Sequence, residues 1–178
     1  LSFALEAGEA LRAEDAVTLQ GKGALTVSNE TLTLTFEDKA SFLVGQKDGG
    51  EAQVTLNQGK LYAQTQGTAY FVVGNQSAQV TDGTVSLSVD KEAFVFDQLS
   101  GKTSFLGGDE NVLTVLPKQR LTVQQTEGRW GAPEQKKLTL KQLSDFTLEQ
   151  AKTTQRLCFT PEQLTGEIAR REAEAQQK

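Results

Sequence analysis

The sequence predicts a mainly β domain of about ten short, mostly antiparallel strands, arranged as a jelly roll or β-helical sandwich and followed by C-terminal α-helices. Three observations carry this. Between Leu25 and Val123 apolar residues recur at every second position in short runs. Glycine-bearing turns separate the runs. At Gly131-Ala132-Pro133 the composition shifts to Gln, Lys, Glu and Ala with helical spacing of the apolar residues. The expected division is a β domain over 1–132 and a helical extension over 133–178 that leads into a linker or stalk.

The elements follow in order. Residues 1–17 suggest a first strand with a turn at Gly8, although their Ala and Glu would also tolerate a short helix, and Gln20-Gly21-Lys22-Gly23 reads as a turn. Leu25 and Val27 alternate with hydroxyl residues. Leu32, Leu34 and Phe36 then alternate with threonines, the pattern of a strand with one buried face and one wet face. Glu37-Asp38-Lys39 turns the chain, Phe42, Leu43 and Val44 re-enter the core, and Lys47-Asp48-Gly49-Gly50 reads as a hairpin turn. Val54 and Leu56 alternate up to a turn at Asn57-Gln58-Gly59, and Leu61 and Ala63 resume. Ala69-Tyr70-Phe71-Val72-Val73 is apolar at every position, which predicts a central strand covered on both faces. Val80 leads to a turn at Asp82-Gly83-Thr84, and Val85, Leu87 and Val89 form the next strand. Phe94-Val95-Phe96 and Phe105-Leu106 flank a turn at Ser100-Gly101, and strands at Val112–Leu116 and Leu121–Val123 follow. Beyond Lys136, the spacing of Leu140, Leu143, Phe146, Leu148 and Ala151 gives one apolar helical face. Thr160-Pro161-Glu162-Gln163 is a helix start with N-cap, proline at the first helical position and capping box. The pairs Glu167–Arg171 and Arg170–Glu174 mark a solvated helix.

Composition narrows the function. The chain has 178 residues, a net charge of −5 and a pI near 4.9. An acidic chain with scattered cations argues against nucleic acid and anionic membrane surfaces. No histidine is present, which removes Ser-His-Asp and Cys-His catalysis and histidine zinc sites. The single cysteine, Cys158, permits no intrachain disulfide and reads as a small buried hydrophobe. No apolar run is long enough for a membrane helix. The first residue is Leu1, not methionine, so an excised or processed fragment is expected, with any export signal or anchor outside it.

Candidate sites are sparse. Loops at Lys47–Glu51, Asp82-Gly83 and Gly107–Asn111 carry oxygen ligands but lack the spacing of a calcium loop, so neither a metal nor a cofactor is expected. Tyr62, Tyr70 and Trp130 would make a ligand or carbohydrate platform if exposed together; packing is the simpler use. With acids mostly in turns, enzymatic activity is not expected.

Four segments, in order, resemble the FecR-like domain, the extracytoplasmic β domain of bacterial iron-dicitrate sensor-type regulators and many surface proteins. Leu5-Glu6-Ala7-Gly8 with Leu11 is similar to its opening segment. Val54 to Tyr62, with Gly59, Leu61 and Tyr62, resembles its Leu-x-Leu-x-x-Gly-x-Leu-aromatic strand pair. Phe71 and Val73, then Val80, Gly83, Thr84, Val85 and Leu87, resemble its Phe-x-Val and Val-x-Gly-Thr-x-Phe-x-Val core. Leu116 to Val123 resembles its closing turn. Asp82 stands where the family often carries arginine, and Lys118 replaces a glycine. The resemblance implies a non-enzymatic, extracytoplasmic sensing or interaction module of an envelope or surface protein, acting on a protein or cell-envelope partner. The alternatives are a carbohydrate or small-ligand binder and the periplasmic part of an anti-sigma regulator. Function is expected on the loops Gln46–Glu51 and Gly107–Asn111 or outside the fragment, with the motif residues serving the fold.

Overall fold

The computed structural model describes residues 6, 8–12, 15–20, 23–37 and 39–177. Leu5, Ala7, Gly21, Lys22 and Asp38, on which parts of the opening segment and two expected turns fall, lie outside the described residues. The strands are β1 (Asp15–Thr18), β2 (Leu25–Ser28), β3 (Leu32–Phe36), β4 (Ser41–Gln46), β5 (Ala52–Thr65), β6 (Thr68–Val73), β7 (Gln76–Val89), β8 (Ala93–Leu106), β9 (Val112–Val115), β10 (Gln119–Thr126) and β11 (Arg129–Lys137). A 3₁₀ turn at Leu140–Gln142 and helices α1 (Asp145–Ala151) and α2 (Pro161–Gln176) follow. The protein is mainly β with C-terminal helices.

Three of the expected turns are bends inside long strands. β5, β7 and β8 each run 14 residues through Gly59, Asp82-Gly83 and Ser100-Gly101. At each bend a residue takes positive φ: Gly59 at 103°, Asp82 at 45° and Gly101 at 76°. The pairing register shifts beside Gly59, between Ser41 and Phe42 of β4, and again between Thr81 and Val85 of β7. Glycine there supplies a bulge that kinks a continuing strand, where sequence alone reads a reversal.

The bends fold one hydrogen-bonded network into two half-sheets of seven strands. The first half runs β1, β4, the start of β5, β6, the start of β7, the end of β8, and β9. The second runs β2, β3, the end of β5, the end of β7, the start of β8, β10 and β11. The pairings are antiparallel except for β6, which lies parallel to the start of β5. That parallel pair follows from the winding: the chain leaves the first half along β5, crosses the second and returns in the same direction. One core fills the space between the halves, with Phe42, Val54, Leu56, Phe71, Val73, Val80 and Phe105 from the first meeting Leu34, Phe36, Leu61, Val85, Leu87, Phe94, Phe96 and Leu121 from the second. Phe36 and Phe42 stack across it with ring centroids 3.6 Å apart.

β6 is the middle strand of its half, yet it is covered on one face only. Ala69, Phe71 and Val73 are buried, while Thr68, Tyr70 and Val72 are half-buried on the other side. The helices that would have covered it pack elsewhere. They lie on the outside of the second half, where Tyr62 and Leu99 join Leu138, Leu143, Phe146, Leu148, Ala151, Phe159 and Leu164 in a second core.

The C-terminal segment begins later than its composition suggests. β11 runs through Gly131-Ala132-Pro133 to Lys137, joined to β10 by a two-residue turn in which Glu127 and Gly128 both take positive φ. Pro133 is tolerated because β11 is an edge strand. The apolar face from Leu140 to Ala151 is split, because the Ser144 hydroxyl accepts from the Thr147 N–H and starts α1 afresh. α2 starts as expected: the Thr160 hydroxyl accepts from Gln163 N–H, and the Gln163 side chain accepts from Thr160 N–H. Arg171 links Glu167 to Asp145 of α1, and Arg170 links Glu167 to Glu174.

Candidate interaction surface

The motif residues hold the fold. Leu61, Phe71, Val73, Val80, Val85 and Leu87 are fully buried in the main core. Gly59 sits where a Cβ would stand 2.6 Å from the Ala40 Cα. Gly83 packs against the Ser100 carbonyl, and Thr84 N–H donates to the Ser100 hydroxyl at 3.0 Å. These side chains leave nothing for a ligand to touch.

The three aromatics do not form a platform. Tyr62 is 1% exposed beneath the helices, on the outer side of the second half. Tyr70 lies on the outer side of the first half with the Lys47 ammonium 4.0 Å above its ring. Trp130 packs edge-on to Phe94 at the margin of the main core, its ring against Gly74. The condition of joint exposure is not met, because Tyr62 and Tyr70 lie on the opposite outer faces of the two half-sheets.

Two of the loop acids, Asp82 and Asp109, are engaged in turn chemistry. Asp109 accepts from the backbone and side-chain amides of Asn111, which lowers its pKa. Asp82 accepts from Gly67 N–H at 2.6 Å. Among the described residues no three His, Cys, Asp or Glu side chains gather as metal ligands.

The seam between sheet and helices is polar as well as apolar. Asp97, 4% exposed, receives both arms of Arg120: Nε to Oδ1 at 2.6 Å and Nη2 to Oδ2 at 2.8 Å. Arg120 also donates to the Gln142 carbonyl. Burial pushes the Asp97 carboxyl up, and Arg120 pulls it partly back. The Ser86 and Thr147 hydroxyls pair at 2.7 Å, and Cys158 N–H donates to the Leu99 carbonyl. Burial raises the Cys158 thiol, favouring its protonated form.

Tyr62 makes this seam sensitive to alkali. Its hydroxyl donates to Thr154 Oγ1 at 2.8 Å, and burial pushes its pKa up to about 12. The folded value lies above the unfolded one, so the stabilisation is complete below the unfolded pKa and is lost as pH rises through the folded pKa. The two-unit difference corresponds to roughly 2–3 kcal/mol lost between about pH 10 and 12. Urea titrations across that range should show a steeper decline in wild type than in Tyr62→Phe. Parallel curves would assign the loss to other groups.

What remains open is the outer face of the first half-sheet. The register aligns Ala16, Leu43, Thr55, Val72, Ser77, Leu106 and Val112 in one row across its seven strands. The neighbouring row is Gly45, Gln53, Tyr70, Gln79, Ser104 and Thr114. Neither row contains a charged residue, in a chain of which 23% is charged. Leu106 and Val112 are 43% and 62% exposed, and Leu116, just past the other end of β9, is 47% exposed. A face with two acid-free central rows, Lys47 lying over Tyr70 and an apolar patch at one edge is the form of a protein-binding surface. Sequence reasoning placed Leu43 in the core and Val72 in a strand covered on both faces, because strand pairing, not local pattern, sets which face they occupy. The two loops singled out from sequence border this face: Lys47 overhangs Tyr70, and Gly107–Asn111 leads into β9.

No protein-family model matches the chain, and no curated protein does. Two crystal structures of a candidate anti-sigma factor from Parabacteroides distasonis ATCC 8503 resemble it, with TM-scores of 0.61 and 0.60 at 10% and 11% sequence identity. Each match covers 71% of this chain and 61% of that one. The likeness therefore spans most of this chain and about three-fifths of the other, and the chain shares the fold of that candidate anti-sigma factor.

Proposed function

We propose that the chain is a non-enzymatic, extracytoplasmic interaction module of the FecR-like kind, part of a bacterial envelope or surface protein, that binds a protein through the open face of its first half-sheet. The observation that carries this is the contrast between the two outer faces. One is closed by helices over a second apolar core, while the other, of equal strand number, is uncovered and carries no acid in its two central rows. The absence of histidine supports the non-enzymatic reading. The resemblance to FecR-like domains supports the extracytoplasmic placement. Among the alternatives, the periplasmic part of an anti-sigma regulator gains weight from the shared fold, and aromatic-mediated carbohydrate binding loses it with Tyr62 buried.

A photoreactive side chain placed at Thr55 or Ser77 in the cellular protein should give protein adducts that the same group at Gln124 or Glu149 does not. Adducts of equal yield at all four positions, or none at Thr55 and Ser77, would defeat the reading.

A further inference from the structure

The pattern on the open face points to its occupant. Counting outward from β6, the middle strand of the first half-sheet, Val72 has Thr55 on one side and Ser77 on the other, then Leu43 and Leu106, then Ala16 and Val112. The row reads alike from either end: apolar, Leu, hydroxyl, Val, hydroxyl, Leu, apolar. The adjacent row repeats the symmetry, with Tyr70 flanked by Gln53 and Gln79, then by Gly45 and Ser104.

We propose that this face binds a second copy of the chain, with a twofold axis running along β6. Such an axis lies in the plane between two stacked sheets and exchanges left for right. It sets Val72 against its own counterpart, Thr55 against Ser77, and Leu43 against Leu106. Apolar groups meet apolar groups and hydroxyls meet hydroxyls, which is the self-complementarity an isologous interface requires. The size fits as well. Seven strands at about 4.8 Å spacing make a face about 29 Å wide, and four to six residues at about 3.3 Å make it about 13–20 Å deep. With the relief of its side chains added, that area approaches the roughly 800 Å² per partner of a standard interface. Charge favours the same contact. Two copies each carrying −5 repel over most approaches, and the two rows contain no acid to oppose this one.

The inference rests on the open face being the binding surface, and it is tested separately from that reading. Sedimentation of the purified chain at tens of micromolar should show a dimer. Val72→Glu, which places two carboxylates together on the axis, should raise the dimer dissociation constant by more than about 100-fold. Gln124→Glu should leave it unchanged, and circular dichroism should report folded protein for both. In a Cys158→Ser background, Leu43→Cys mixed with Leu106→Cys should form an intermolecular disulfide that neither forms alone. A monomeric wild type, a dimer that survives Val72→Glu, or no mixed disulfide overturns the proposal. Photo-adducts of a different protein at Thr55 and Ser77, with a monomeric chain, would overturn it while upholding the interaction reading.

Discussion

Gly101→Ala is expected to lower the unfolding free energy by about 4 kcal/mol, combining the cost of a side chain at positive φ with that of a methyl group forced into packed backbone. Gly101 has a φ of 76°, and its Cβ would stand 2.5 Å from the Asp82 carbonyl oxygen and closer still to the Gly83 Cα. Those neighbours are backbone and cannot swing aside. They belong to β7, whose own bend at Asp82-Gly83 lies against the bend of β8. Relief would require separating two strands that pair over most of their length. Gly128→Ala is the matched control, since Gly128 has a φ of 79° and nothing within 4 Å of the added carbon. It should cost about 1 kcal/mol, the lower end of the strain range. Urea midpoints of the two variants separate backbone strain from steric conflict, and equal midpoints would refute the close crossing of β7 and β8.

Arg120→Met is expected to cost about 3–5 kcal/mol, because it leaves the Asp97 carboxylate buried without its partner. The pH dependence identifies the cause. Burial already raises the Asp97 carboxyl above its ordinary value, and removing Arg120 raises it further. A carboxyl whose folded pKa exceeds the unfolded one contributes stability below the unfolded value and loses it as pH rises through the folded value. The deficit of Arg120→Met against wild type should therefore shrink toward about pH 4, near the unfolded pKa of aspartate, and widen toward neutrality. The double variant Asp97→Leu/Arg120→Met should recover most of the loss, as a well-packed apolar pair replaces a broken ionic one. A deficit that does not change with pH would mean that the lost bond to Gln142, not the stranded charge, dominates.

The β class was legible because alternation is local: Leu32-Thr33-Leu34-Thr35-Phe36 declares its wet and dry sides without reference to any other segment. The start of α2 was legible for the same reason, its cap, proline and capping box lying within four residues. The continuity of β5, β7 and β8 was not, since a glycine of positive φ looks the same in sequence whether the chain reverses or bends. β11 was hidden by Gly131 and Pro133, although Glu127-Gly128 after the Leu121–Val123 strand was a usable hairpin signal. The open face was the least legible feature. Val72 and Phe71 are equally apolar neighbours, and only the placement of helices on the far half-sheet leaves one outside and the other inside. Tyr62 shows the converse: packing was the simpler reading of its ring, but that the cover comes from residues some ninety positions later was not legible.

The three bent strands also govern how the molecule can come apart. A sandwich of two independent sheets has a plane along which one layer can lift from the other, and local opening there is inexpensive. Here β5, β7 and β8 cross that plane as continuous backbone, so neither layer can depart without unzipping the strands that belong to both. The helices, docked on the far ends of the same strands through Tyr62, Ser86 and Leu99, are tied into this unit. Unfolding is accordingly expected to be all-or-none: Trp130 at the margin of the main core and Tyr62 in the second should report one coincident transition, and a separate earlier transition at either would refute the coupling.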